Sequence, residues 1–248
     1  MKRFIIIFAL LLNGMAWAQQ NPISEANELY KKGEFEKAVE SYQFVLNTGI
    51  ESPEIYYNLA NAYYKTGQVA PAILNYERAK LLAPNDKDIA YNLDLARKHV
   101  VDKLEVLPEF FITRWFKGLR TDLSADTWGL LSIVLFLSFL VCAGLYLFSH
   151  RGGIKKLGFF LGILALVFSF TFYNFGAKQN KVMTQRNQAI VFTPSVTIKG
   201  SPDESGTELF LLHEGTKVKI IDSLGEWRNI QLSDGNEGWL KKEDIQVI

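Results

Sequence analysis

The sequence predicts a multidomain protein with an α-helical repeat array, a two-helix transmembrane hairpin and a small all-β domain at its C-terminal end. Three observations predict this fold class. Residues 22–104 repeat with a period of 34, and residues 128–148 and 157–177 contain no Asp, Glu, Lys or Arg. From Ala189 onward the apolar residues follow a period of about two. By length alone, the 248 residues could form one large domain or two to three small ones.

The charge distribution agrees with this division and excludes several classes of protein. Hydrophobic residues make up 48% of the chain and charged residues 21%, which excludes a disordered protein. The positive charge gathers around the two apolar runs, whereas residues 19–107 and 186–248 are mildly acidic. An acidic surface argues against nucleic acid as a partner. The single cysteine, Cys142, excludes an intrachain disulfide and a cysteine-based metal site.

Residues 1–18 are predicted to be a secretory signal peptide. Lys2 and Arg3 precede a short apolar run over residues 4–12, and the segment ends in Ala16-Trp17-Ala18. A basic start, a short apolar core and a small-x-small ending are typical of such signals. We expect cleavage after Ala18. Whether or not the signal is cleaved, residue 19 and those after it are expected outside the cytoplasm.

Residues 19–107 are predicted to form paired helices. Glycine, alanine and tyrosine recur at a spacing of 34, in the pairs Gly33 and Gly67, Ala26 and Ala60, Ala38 and Ala72, and Tyr42 and Tyr76. Glycine ends the first helix of each pair, and alanine permits two helices to cross closely. Residues 53–86 resemble the tetratricopeptide consensus, residues 22–52 form a weaker repeat, and residues 86–104 are expected to add one covering helix.

The tetratricopeptide resemblance implies a groove, lined by the first helix of each pair, that binds an extended segment of a partner protein. Some members of that family clamp a C-terminal carboxylate with Asn and cationic residues. Here Ile23, Asp88 and Asn92 occupy the cation positions, so no such clamp is expected. A solvated groove face without a specific ligand is the alternative. Transferred residue by residue, the partner-binding groove consists of Asn27, Tyr30, Lys31, Asn58, Asn61, Tyr64, Lys65 and Asn92.

Residues 128–148 and 157–177 are predicted to be two transmembrane helices, each about 31 Å long. Both lack ionisable residues of the kind that transport and proton relay require, so they are interpreted as an anchor. Gly158 and Gly162 form a small-xxx-small step that permits close helix approach. Residues 108–127 are predicted to lie in the lipid interface, because aromatic and basic residues alternate there.

The turn between the spans, residues 149–156, is predicted to be cytoplasmic because it holds Arg151, Lys155 and Lys156. Three basic residues also flank the outer end of each span, so the orientation depends on the charge density in the turn and on the signal peptide. Both large parts of the mature chain are then expected on the periplasmic face of a bacterial inner membrane.

After a linker at residues 178–188, residues 189–248 are predicted to form a small all-β barrel with five or six strands. The segments EGTKVKII, GEW and DGNEGWL resemble bacterial SH3-like domains. Some members of that family bind cell-wall peptides and others dock proteins. The resemblance implies that Trp227 and Trp239 are candidates for a binding surface.

No catalytic constellation is recognisable in the sequence. The three histidines, His99, His150 and His213, fall in three different segments. Phosphate-binding loops, nucleophile elbows and dinucleotide-binding turns are missing from the sequence. We therefore predict no enzyme activity, no catalytic residues, no cofactor and no metal.

The order of the parts is distinctive. A signal peptide, a short repeat array, the juxtamembrane segment PEFFITRWFKGLRTDLSADTW, two spans and an SH3-like end together resemble the E-type Bat (aerotolerance) operon proteins of Bacteroidetes. The resemblance implies an inner-membrane scaffold that works beside von Willebrand factor A-type membrane proteins and an AAA+ ATPase, in oxidative-stress tolerance. The alternative function is a sensor whose SH3-like domain binds peptidoglycan peptides.

Overall fold

The structure is a computed structural model that describes residues 22–104, 110–121 and 123–248. The predicted signal peptide lies outside the described residues. Residues 22–104 form an array of antiparallel helices, as predicted. The helices are α1 (Pro22–Lys31), α2 (Phe35–Asn47), α3 (Pro53–Lys65), α4 (Val69–Leu82) and α5 (Lys87–Arg97).

The helix ends follow from the residues found there. Gly33 and Gly67 have φ of +81° and +77°, the left-handed conformation that ends α1 and α3 at the cost of little strain for glycine. Ser52 caps α3 and Asp86 caps α5, because their side-chain oxygens accept hydrogen bonds from backbone N–H groups of the first turn. The repeated alanines are fully buried where the helices cross, namely Ala26, Ala38, Ala60 and Ala72.

Two apolar helices follow the array and pack against each other as a hairpin. They are α7 (Ala125–Phe148) and α8 (Gly152–Thr184), preceded by the short helix α6 (Phe111–Thr121). Mean hydropathy reaches 2.6 in α7 and 1.8 over Gly152–Lys181, and most side chains in these stretches face outward. Their length and composition are compatible with two membrane spans. Three residues connect α7 to α8, because α8 begins within the predicted turn of 149–156.

Small residues bring the two apolar helices into close contact. A Cβ at Gly158 would lie 2.8 Å from the carbonyl oxygen of Cys142, and one at Gly162 would lie 3.4 Å from the Cβ of Cys142. Farther along the hairpin, Ser132 and Ser169 each donate a hydrogen bond to the other's carbonyl oxygen, at 2.9 and 2.8 Å. The small-xxx-small step of α8 therefore faces α7.

The C-terminal part, here called the β-domain (residues 188–248), is an antiparallel sheet of seven strands, more than the five or six predicted. Its core contains the fully buried side chains of Ile198 and Ile230. The strand order is β3-β2-β6-β5-β4-β1-β7. The strands are β1 (Gln188–Val191), β2 (Ser195–Lys199), β3 (Glu208–His213), β4 (Lys217–Leu224), β5 (Trp227–Gln231), β6 (Glu237–Lys241) and β7 (Ile245–Val247).

The β-domain packs directly on the array. Ile190 of β1 and Ile248 belong to the same hydrophobic cluster as the core of the array, and Phe192 packs against that cluster. Arg78 of α4 donates a hydrogen bond to the carbonyl oxygen of Val247 at 2.8 Å. No pattern in the sequence predicts this contact.

Candidate functional site

The predicted groove residues lie on α1, α3 and α5, which are the first helices of the pairs. Two of them meet: Asn58 donates a hydrogen bond to Asn27 at 3.2 Å. The same Asn27 oxygen accepts a hydrogen bond from the buried hydroxyl of Tyr42 on α2. Burial raises the pKa of Tyr42 to about 12, with a further contribution from Tyr30, so the hydroxyl remains a proton donor.

The other two predicted asparagines are also engaged within the array. Asn61 accepts a hydrogen bond of 2.6 Å from the hydroxyl of Tyr76 on α4. Burial raises the pKa of this tyrosine. Asn92 donates a hydrogen bond of 2.6 Å to Tyr57, which joins α5 to α3. The side chains of these asparagines therefore connect neighbouring helices. Their predicted role in partner binding stays a prediction.

The remaining predicted groove residues are two lysines and two half-buried tyrosines. Lys65 is exposed, and Lys31 pairs with Glu28 on its own helix at 3.1 Å, an exposed contact of small energetic value. Tyr30 packs edge-on against Phe35, with ring centroids 5.2 Å apart. The hydroxyl of Tyr64 lies 3.0 Å from Nε2 of His99.

Three further side chains were not predicted from the sequence: Tyr57 and Tyr91 on these helices, and His99 two residues after the end of α5. His99 contacts Tyr64, Tyr57 receives the hydrogen bond from Asn92, and Tyr91 is 70% exposed. The repeat period contains the signal that would have identified them. His99 follows Lys65 by 34 residues, and Tyr91 follows Tyr57 by the same interval.

A buried carboxylate joins the array to the β-domain. Glu77 of α4 is 4% exposed and forms ion pairs with Arg97 at 2.5 Å and with Lys217 of β4 at 2.7 Å. Burial alone raises the pKa of Glu77, but the two cations and their hydrogen bonds outweigh burial, so its pKa is lowered. Glu77 is therefore a charged group with two partners, one in each part of the chain.

A second carboxylate follows α5 and holds the turn between β3 and β4. Asp102 accepts hydrogen bonds from the backbone N–H of His213 at 2.7 Å and from the hydroxyl of Thr216 at 2.6 Å. Its other oxygen lies 2.8 Å from Nδ1 of His213. Burial acts to raise the pKa of Asp102, and these hydrogen bonds lower it below its usual value.

Both predicted surface tryptophans lie on the face of the sheet opposite the core residues Ile230 and Leu240. Trp227 pairs with Lys241 and Trp239 pairs with Asn229 across β5 and β6, and both tryptophans are half-buried. The side-chain oxygen of Asn229 is buried and has no hydrogen-bond partner among the residues that the structure describes.

The described part of the chain contains no group of three or more His, Cys, Asp or Glu residues that could hold a metal ion. His99 and His213 lie in different polar contacts, to Tyr64 and Asp102 respectively.

Comparison with protein families agrees with the helical array. Residues 26–67 match the family model described as TPR repeat, and residues 53–86 match the model described as tetratricopeptide repeat. A search of the curated proteins found no match to this chain. The two family models overlap and together extend over the first two helix pairs. The predicted repeats are confirmed: residues 26–86 consist of tetratricopeptide repeats.

Proposed function

We propose that this protein is a scaffold, anchored in a bacterial inner membrane, whose repeat groove binds an extended segment of a partner protein. The tetratricopeptide match carries the proposal, because such repeats indicate protein–protein interaction. The exposed side chains of Lys31 and Lys65 and the half-buried ring of Tyr64 supply cationic and aromatic contacts on the groove helices.

The membrane arrangement in this proposal is a hairpin with both large parts on the periplasmic face. The ion pair between Glu77 and Lys217 supports it, since two parts in direct contact lie on one side of a membrane. The two apolar helices provide an even number of spans. The predicted signal peptide and the basic residues near Arg151 favour the periplasm.

The resemblance to the Bat (aerotolerance) operon proteins extends the proposal to a cellular setting. The partners would include von Willebrand factor A-type membrane proteins, in a complex related to oxidative-stress tolerance. The order of the signal peptide, array, spans and SH3-like end supports this assignment.

Two measurements test the proposal. Reporter fusions at Gly152 should mark the cytoplasm and fusions after Ile248 the periplasm. A periplasmic Gly152 would contradict the hairpin orientation. Crosslinking in native membranes, followed by mass spectrometry, should identify a partner that is lost in the variant Lys31→Glu/Lys65→Glu. The control is Lys80→Glu, a charge reversal on α4. If the groove variant retains its partner, the groove is not the binding surface.

A second function, peptidoglycan binding by an SH3-like β-domain, has one specific observation in its favour. The half-buried rings of Trp227 and Trp239 lie on one face of the sheet beside Asn229, whose buried amide oxygen has no hydrogen-bond partner among the described residues. Aromatic rings and amides are groups that peptide and sugar ligands contact. Sedimentation of the full chain with purified peptidoglycan should then decrease in Trp227→Ala and Trp239→Ala. An absence of binding by the unaltered protein would exclude this function.

A further inference from the structure

The helix α4 (Val69–Leu82) lacks the solvent-facing side that its equivalent in the first repeat has. Its residues 72–77 are all buried, including two polar ones, Asn75 and Glu77. In α2 (Phe35–Asn47) only Ala38, Val39, Tyr42 and Val45 are buried, and the rest of the helix is amphipathic in the usual way. The two helices have the same place in successive repeats, so a neighbour specific to α4 must cover its outer side.

The neighbour is the β-domain. The turn between β3 and β4 approaches so closely that a Cβ at Gly215 would lie 2.9 Å from Val100 and 3.3 Å from Ile73 of α4. Gly215 also has φ of +84°, which favours glycine independently. Ile190 and Ile248 complete the apolar contact from the β-domain side. This packing resembles that of a repeat on its neighbour in a longer array.

The polar contacts at this junction are specific to it. Glu77 takes the place that Gln43 has one period earlier, and Gln43 is exposed whereas Glu77 is buried between Arg97 and Lys217. A buried carboxylate needs such partners, because without them its desolvation is strongly unfavourable. Asp102 supplies the second connection by accepting hydrogen bonds from the turn of the β-domain.

We propose that the β-domain is a built-in cap of the repeat array, which occupies the surface where a further repeat would stack. Terminal repeats require such covering, because each repeat buries its apolar face only against a neighbour. Glu77 and Asp102 fix the cap in place. The outer side of α4 is thereby closed to other proteins, and the groove helices α1, α3 and α5 remain accessible. This inference concerns the β-domain and does not depend on the proposed partner.

Hydrogen exchange of the full chain in detergent micelles, read by mass spectrometry, tests the cap. Lys217→Glu places a second carboxylate against Glu77, so the amides of residues 69–82 should exchange at least about ten-fold faster. Those of residues 35–47, which the β-domain does not cover, should be unchanged. Lys217→Arg, which keeps the positive charge, should retain the protection. The control Lys241→Glu breaks an ion pair with Glu204 inside the β-domain and should leave residues 69–82 unaffected.

A second variant keeps the test independent of the folding of the β-domain. Asp102 follows α5 outside the helices and contacts the β-domain at the turn between β3 and β4, so Asp102→Ala removes a connection without changing a residue of α4 or of strands β5 and β6. Residues 69–82 should again exchange faster, while residues 227–241 keep their protection. The proposal is overturned if neither Lys217→Glu nor Asp102→Ala speeds exchange in residues 69–82 beyond the Lys241→Glu control.

Discussion

Asn61 offers the sharpest separation of folding from binding within the groove. Sequence reasoning assigns Asn61 and Lys65 to partner binding, on the same helix and one turn apart. The structure gives Asn61 an additional role, because its side-chain oxygen accepts a hydrogen bond of 2.6 Å from the hydroxyl of Tyr76. We therefore expect Asn61→Ala to destabilise the array and Lys65→Ala to leave its stability almost unchanged.

The magnitude follows from the burial of Tyr76, which is 1% exposed. Asn61→Ala leaves its hydroxyl buried without this acceptor, which costs about 1–3 kcal/mol of unfolding free energy. Tyr76→Phe removes the donor instead. Because Asn61 is only half-buried, its amide can bond to water in place of the hydroxyl, and the loss of unfolding free energy should be about 0.5–1.5 kcal/mol. In the double variant no hydroxyl remains to be satisfied. Its cost should fall below the sum of the single costs by about 0.5–2 kcal/mol.

Native-state hydrogen exchange of residues 53–82 at increasing urea concentration measures these free energies in the full chain. Lys65→Ala is the matched control and should lie within about 0.5 kcal/mol of the unaltered protein. Crosslinking should rank the two variants in the reverse order, because Lys65→Ala should lower the yield of crosslinked partner. The reasoning is refuted if Asn61→Ala costs no more than Lys65→Ala, or if the Asn61 and Tyr76 effects are simply additive.

Three further predictions concern the helix crossing, the hairpin and the junction. Ala72→Leu overpacks a fully buried helix crossing and should lower the free energy of unfolding by about 1–3 kcal/mol, measured by the same hydrogen-exchange experiment. An unchanged free energy of unfolding would contradict close packing at that crossing. Gly158→Ala should separate α7 from α8 and speed maleimide labelling of Cys142, whereas Gly153→Ala, which meets nothing within 4 Å, should not. Because the folded-state pKa of Asp102 lies below its ordinary 3.8, its contribution to stability is full above that pH. The contribution is lost as pH falls through the lowered pKa, so thermal unfolding should show a smaller acid dependence in Asp102→Asn; equal profiles would refute this.

Sequence alone determined the features that depend on local pattern. The 34-residue period identified the repeats, since glycine and alanine are required wherever a helix ends or crosses another closely. The two uncharged runs identified the apolar helices, because each is long enough by itself to cross a bilayer. The alternation of apolar residues and the regular turn residues indicated strands. The seventh strand, Ile245–Val247, is too short for an alternating pattern to identify it.

Tertiary structure alone decided what several polar residues do. Asn27, Asn61 and Asn92 match groove positions by sequence, yet each also forms a hydrogen bond with a tyrosine of a neighbouring helix. Nothing in a helix-period pattern shows whether an amide faces a partner or an adjacent hydroxyl, because both positions lie on the same side of the helix.

The contacts between the array and the β-domain could not be predicted from the sequence for a related reason. By sequence, Glu77 on a repeat helix is indistinguishable from a solvated carboxylate such as those of α2. Its cationic partner Lys217 is 140 residues away, and the turn that meets Asp102 is more than 100 residues away. Only the folded chain brings these groups together, and their burial makes the ion pairs and hydrogen bonds between them necessary.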